Sequence, residues 1–218
     1  MTLALFDLDN TLLAGDSDYL WGQFLVKNRM VDGPMFEKEN LRFYEEYAAG
    51  VLDIQAYLTF QLGVLAQHDK EKIDRMRGRF LEEMILPIIA VKSRSVLEKH
   101  RDQGDTLVII TATNRFVTTP IAQELEVEHL IATGVEIIDG QYTGRPIGTP
   151  CFQEGKVTLL KQWLQQNQGD LLGSYFYSDS HNDLPLLKVV DNPVAVDPDK
   201  QLSKYAQENN WPIISFRS

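Results

Sequence analysis

An apolar run that ends in two carboxylates limits this fold more than any other feature. In "ALFDLDNTLL" (4–13), Asp7 and Asp9 follow residues that read as a buried strand. Unpaired charge is costly inside a sheet. The strand must therefore end at an edge where both acids meet water, a counter-charge or a ligand. In an extended chain, residues i and i+2 face the same side. If that geometry persists through Asp9, both carboxylates face one place.

Further strand patterns follow at intervals. "LALFDL" (3–8), "TLVIIT" (106–111), "SYFYS" (174–178), "NPVAVD" (192–197) and "PIISF" (212–216) are short apolar runs. Helical patterns separate the later ones, including "RFVTTPIAQEL" and "EGKVTLLKQWLQQN". Strands alternating with helices predict an α/β fold, a parallel sheet covered on both faces. Between the first two strands, from Asp16 to about Gly104, the pattern is wholly helical. Ile54, Leu58, Leu62 and Leu65 form one stripe, and Ile73, Met76, Phe80 and Met84 another. A small helical bundle inserted after the first strand accounts for them. Asp139-Gly140, between alternating runs in 135–148, predicts a β-hairpin or flap at the side of the core.

Composition narrows the function classes. The formal net charge is −10 and no basic block occurs, which argues against nucleic acid as a partner. No apolar run reaches the ~18 residues of a membrane span, and no signal-peptide pattern is visible. The single cysteine, Cys151, reads as a small loop filler and fits a reducing compartment. A cytoplasmic protein with no membrane partner is expected, as a monomer or homodimer.

Ligands of an open parallel sheet bind beyond the carboxyl ends of its strands. That edge would gather Asp7 and Asp9 from the first strand and Thr111, Thr113 and Asn114 from the second. The third adds Asp179, Ser180, Asn182 and Asp183, and Lys156 lies in the first turn of a helix. Clustered carboxylates cannot all stay ionised without a counter-charge. Mg²⁺ supplies one, prefers oxygen ligands and pairs with phosphate. Lys156 and Thr111 suit phosphate oxygens. An Asp facing phosphorus can act as a nucleophile, and a second carboxylate can pass the proton.

"DLDNT" (7–11), Thr111, Lys156 and "DSHND" (179–183), in that order, resemble the four motifs of the haloacid dehalogenase-like (HAD) superfamily. The helical insertion is similar to the four-helix cap of its phosphoserine phosphatase-like branch. The resemblance implies a Rossmann-like core (1–15 and 86–218), a cap (16–85), and Mg²⁺-dependent hydrolysis of a small phosphorylated metabolite through an aspartyl phosphate. Carried over, Asp7 is the nucleophile and a metal ligand. Asp9 is the general acid/base, with its carbonyl on the metal, and Asp179 is a further ligand. Thr111, Ala112 and Lys156 bind phosphate. Asn182 and Asp183 support the site.

Relatives specific for phosphoserine usually carry a Glu after the first motif and a cap Arg for the substrate carboxylate. Here Asp16 stands at the first place, and Thr59 or Gln61 at the second. Losing the Arg removes a charge-assisted contact. The expected substrate is therefore a phosphorylated alcohol without a carboxylate, with an amine that Asp16 meets. "ITATNRF" and "PCFQEGKV" are similar to a histidinol-phosphatase-like subgroup. Phosphoserine and other amino-alcohol or sugar phosphates are the alternatives within the class. A phospho-receiver domain or an idle binding protein is the alternative outside it. The ~90-residue helical insertion and Asp9 weigh against the receiver. Trp21, Phe43 and Tyr44 read as bundle core, His181 as a loop residue, and Asn114 as a helix cap.

Overall fold

The computed structural model describes residues 2–217. Its centre is β1 (Leu3–Phe6), buried at every position. Residues Ala4 and Phe6 join one apolar cluster, Leu3 and Leu5 the other. This two-faced burial is why the run is continuously hydrophobic rather than alternating.

Around β1 assemble β2 (Thr106–Ile110), β3 (His129–Ile131), β6 (Tyr175–Ser178), β7 (Asn192–Val196) and β8 (Ile213–Ile214). Their order is β3-β2-β1-β6-β7-β8, and every pairing is parallel. Helices α5 (Ser93–Asp102) and α6 (Arg115–Glu124) cover one face. The other face carries α7 (Glu154–Asn167), α8 (Leu184–Leu187) and α9 (Lys200–Glu208). After β3 the chain returns to lay β6 beside β1, so the strand order reverses there. A crevice forms at such a switch point.

Two strands differ from the sequence reading. The segment His129-Leu130-Ile131 was not anticipated; it is three residues long and only Ile131 is buried, too short for a period to register. Conversely, the expected run 212–216 contributes only two ladder residues in β8. The first strand also ends at Phe6, although the Asp7 amide still donates to the Tyr177 carbonyl at 2.9 Å.

The insertion consists of α1 (Ser17–Lys27), α2 (Gly33–Ala49), α3 (Ile54–Gly63) and α4 (Lys70–Phe80). Asp16 caps α1 by accepting from the Asp18 and Tyr19 amides, and Asp53 caps α3 in the same way. Pro34 opens α2, and Gly50 closes it with a left-handed φ of 74°. The chain enters and leaves the insertion along one paired seam, Leu13 opposite Ile89. None of the helices among the described residues is long and apolar enough to cross a membrane.

The insertion is not a detached appendage. Trp21 of α1 lies 5.2 Å from Phe80 of α4 and 5.5 Å from Phe116 of α6, ring centre to ring centre. One apolar cluster therefore runs from the helical insertion into the sheet. The hairpin also ties the two parts. Its strands, β4 (Gly134–Ile138) and β5 (Gln141–Ile147), form their own antiparallel sheet. Asp139 and Gly140 both take positive φ (50° and 74°), as a two-residue turn that follows strand twist requires. Expected at the side of the core, the hairpin instead leans on the insertion. Tyr142 donates to Asp74 of α4 at 2.9 Å. A Cβ on Gly144 would stand 3.2 Å from the Leu62 carbonyl of α3.

Truncating Trp21→Ala should cost about 3–5 kcal/mol, measured by urea denaturation. Because the cluster is shared, sheet and insertion should unfold in one transition, and two separated transitions would refute a common core.

Candidate active site

The chain leaves β1 through an abrupt turn. Asp9 is extended and Asn10 takes a left-handed φ of 57°, which asparagine tolerates better than most residues. The turn sets Asp7 and Asp9 in the wall of one pocket, with Asp16, Thr111, Ala112 and Thr113. The opposite wall comes from the insertion: Tyr19, Asn40, Phe43, Tyr44, Tyr47, Leu52, Ile54 and Tyr57. Phe43 and Tyr44 therefore line the pocket rather than serving only the bundle. Trp21 is buried as expected.

At the sheet edge, Lys156 is the organising charge. Its Nζ lies 2.8 Å from Asp7 Oδ1 and 2.9 Å from Asp183 Oδ2, and the residue is 1% exposed. Burial alone would lower the Lys156 ammonium, but the Asp183 and Asp7 carboxylates overcome it and hold it above the ordinary lysine range. Ser178 Oγ donates to Asp183 Oδ2 at 2.7 Å, fixing the second acid. Burial lifts Asp7 to about 7, with Lys156 opposing and Asp183 and Asp9 adding.

Asp179 approaches from the end of β6. The Thr11 hydroxyl stands 3.4 Å from Asp7 Oδ2 and 3.3 Å from Asp179 Oδ1. It also accepts from the Asp179 amide at 3.0 Å. A single side chain thus spans the gap between the two carboxylates. Burial, then Asp7 and Asp183, push Asp179 well above the usual carboxylate range. Asp9 is held separately: it accepts from the Ser17 amide at 2.6 Å and from the Thr113 hydroxyl at 2.7 Å. Burial, then the Asp16 charge, lifts it to about 6.

Thr111 is buried at the end of β2 and accepts from the Thr113 amide at 3.2 Å. Asn114 caps α6 through the Val117 amide. Asn182 links core to insertion: its amide donates to the Tyr47 carbonyl at 2.9 Å and its oxygen accepts from Gln153 at 3.0 Å. His181 pairs with Asp199 at 2.8 Å. Cys151 is buried, and burial pushes its thiol up to about 12, outside the reactive range. Asp16 does two things at once, capping α1 and lining the pocket; burial lifts it to about 6.

Thr11 and Thr113 belong to the edge stretches but have no task in the sequence, and neither do Tyr47, Tyr57 or Asp18. Asp18 is buried, accepts a hydrogen bond from the Tyr57 hydroxyl, and is pushed up to about 7 by burial. Tyr44 and Tyr47 stand three residues apart on α2, a spacing that also marks an ordinary buried helix face. Thr11 and Thr113 sat inside recognised stretches, and their hydroxyls were the available signal.

Comparison with known proteins agrees with this architecture. A protein described as histidinol-phosphatase from Neisseria meningitidis serogroup C is 45% identical over 99% of both chains. A solved protein of unknown function from Bordetella pertussis Tohama I is 43% identical, with a TM-score of 0.92 over 99% of this chain and 100% of its own. A substrate-bound phosphoserine phosphatase, 17% identical, shares the fold at a TM-score of 0.73, covering 100% of this chain and 94% of its own. The family model of the haloacid dehalogenase-like hydrolases matches residues 4–188, and the chain belongs to that family.

Proposed function

We propose that this phosphatase is a Mg²⁺-dependent phosphomonoesterase acting on histidinol phosphate, with Asp7 as nucleophile and Asp9 as general acid and base. One observation carries the reading: Asp7, paired with a buried lysine, and Asp9, held apart from that lysine, open into the same pocket. Two carboxylates in different environments can do different work.

The residues present fit a hard cation. Among the described residues no three His, Cys, Asp or Glu side chains form a ready-made cage. Asp7 and Asp179, both reached by the Thr11 hydroxyl, offer the one or two carboxylates that magnesium takes when water and phosphate complete its shell. Burial, with neighbouring carboxylates adding, lifts Asp7 and Asp179, and a cation would relieve both effects. Asp7, Asp179 and the Asp9 carbonyl would hold Mg²⁺, which supplies charge neutralisation for the phosphoryl oxygens.

Asp7 then attacks phosphorus as the ester P–O bond breaks. Protonated Asp9 gives its proton to the departing alkoxide, assisted by the rise that burial produces. Asp9, now ionised, takes a proton from water, whose oxygen attacks the aspartyl phosphate and releases inorganic phosphate. Thr111, Ala112 and Lys156 receive the phosphate oxygens, and Asp183 holds Lys156 for that task. Asn182 steadies the loop that carries Asp179 and Asp183.

The substrate reading rests on the pocket wall. It contains Asp9 and Asp16 and four tyrosines, with no Lys or Arg among its described residues. Thr59 is exposed on α3 and bonds to its own helix, while Gln61 is buried against Asn40. Neither replaces a carboxylate-binding arginine. An amino-alcohol bearing an aromatic cation suits acidic and aromatic walls, and the Neisseria relative carries the corresponding description. The boundaries of core and cap belong to this reading: residues 16–85 as cap, closing on a core of 1–15 and 86–218.

Phosphate release from a metabolite panel tests it. Histidinol phosphate should be the better substrate by kcat/KM, and faster turnover of phosphoserine would refute the assignment. Asp7→Asn should lose at least roughly a thousandfold in kcat, and Asp9→Asn about 10²–10⁴-fold. Wild-type rates in the Asp7 variant would dismiss it as nucleophile. Removing divalent ions by chelation should abolish turnover, with recovery on adding Mg²⁺ and none on adding Na⁺.

A further inference from the structure

On the insertion wall of the pocket, the direction of one hydroxyl, that of Tyr57, is fixed from behind. A phenol has a single hydrogen. Tyr57 donates its hydrogen to Asp18 Oδ2, so the Tyr57 oxygen can offer a ligand only lone pairs. Asp18 Oδ1 is buried without a partner, as is Gln61 Oε1. Gln61 lies one helical turn from Tyr57 on α3 and donates to Asn40 Oδ1 at 3.2 Å. Asn40 in turn donates to the Tyr19 carbonyl at 3.0 Å. Asp16 spends Oδ1 on two backbone amides. Tyr57, which lines the pocket, therefore has its one hydrogen committed to Asp18 behind it.

A pocket hydroxyl fixed in this way discriminates by hydrogen-bond direction. A ligand N–H meets a waiting lone pair, whereas a ligand carboxylate or carbonyl meets another acceptor and loses the hydrogen bonds it had in water. We propose that Tyr57, oriented by Asp18, is a specificity-determining residue that selects an N–H donor on the alcohol part of the substrate and rejects carboxylates. This deepens the proposed function, since it rests on that pocket receiving the alcohol portion. Asp18 is a positioning residue: it acts by fixing the direction of the Tyr57 hydroxyl.

The test compares three esters at pH 8: histidinol phosphate, phosphoserine and p-nitrophenyl phosphate, which has no N–H donor. Tyr57→Phe should lower the ratio of kcat/KM for histidinol phosphate over p-nitrophenyl phosphate about tenfold, the value of one hydrogen bond, with the change in KM. Asp18→Leu frees the Tyr57 hydroxyl to donate and should raise phosphoserine relative to histidinol phosphate. A uniform loss on all three esters, or an unchanged ratio in Tyr57→Phe, would overturn the proposal. If Asp18→Leu fails to fold, the Tyr57→Phe ratio alone decides. If the wild type does not favour histidinol phosphate, the substrate assignment fails separately. Phosphoethanolamine, a smaller N–H-bearing ester, then replaces it, and an unchanged ratio for that ester in Tyr57→Phe overturns the proposal.

Discussion

At the sheet edge, Asp7 and Asp183 are arranged about one buried ammonium. Lys156 is nearly sealed from solvent and touches Asp7 and Asp183. Taking these charges out of water is expensive, and only close pairing offsets it. Asp183 secures the lysine, Ser178 secures Asp183, and the pair leaves Asp7 in one orientation. The Thr11 hydroxyl spans Asp7 and Asp179. The cluster thus has more acid than base, and the excess is what a phosphoryl-transfer site needs to recruit a metal on the proposed reading.

The second requirement is a wall that reaches this edge from outside the sheet. The aromatic cluster of Trp21, Phe80 and Phe116 joins the insertion to α6. Asn182 adds a polar tie from the loop after β6 to the Tyr47 carbonyl of α2. At the same junction, a Cβ on Gly50 would come within 2.7 Å of His181 Nε2, and its φ of 74° is left-handed. The end of α2 and the loop of Asp179 are therefore matched in shape as well as bonded. A pocket shared by two parts of a chain needs such agreement, because a shift of an ångström would separate Tyr47 from the acids that it faces.

How much of this could be read beforehand depended on whether the signal was local. The buried strands announced themselves through apolar runs, and the hairpin through Asp139-Gly140. By contrast, β3 owes its existence to pairing with β2, a tertiary fact that three residues cannot encode. The hairpin's place against α3 and α4 was equally invisible, since it depends on Gly144 admitting the Leu62 carbonyl. Asp7 and Asp9 stood out because charge at the end of a strand violates the surrounding pattern, and Lys156 and Asp183 because they complete the ordered motif set. Tyr47 and Tyr57 violated nothing: an aromatic residue facing a ligand and one facing a core share the same helical period.

The acidic wall also follows from the electrostatics of the edge. On the proposed reading, a phosphomonoester brings negative charge to Lys156 and the metal, and its alcohol portion lies beside Asp9, Asp16 and, behind Tyr57, Asp18. All three are lifted by burial, so each is a carboxyl group kept from its usual hydration. An anionic alcohol would add repulsion to that desolvation. A cationic one would offset both, more strongly where the local dielectric is low. Discrimination in this pocket therefore needs no arginine or lysine on the insertion. On the proposed reading it would arise at Tyr57, whose hydrogen is already committed to Asp18.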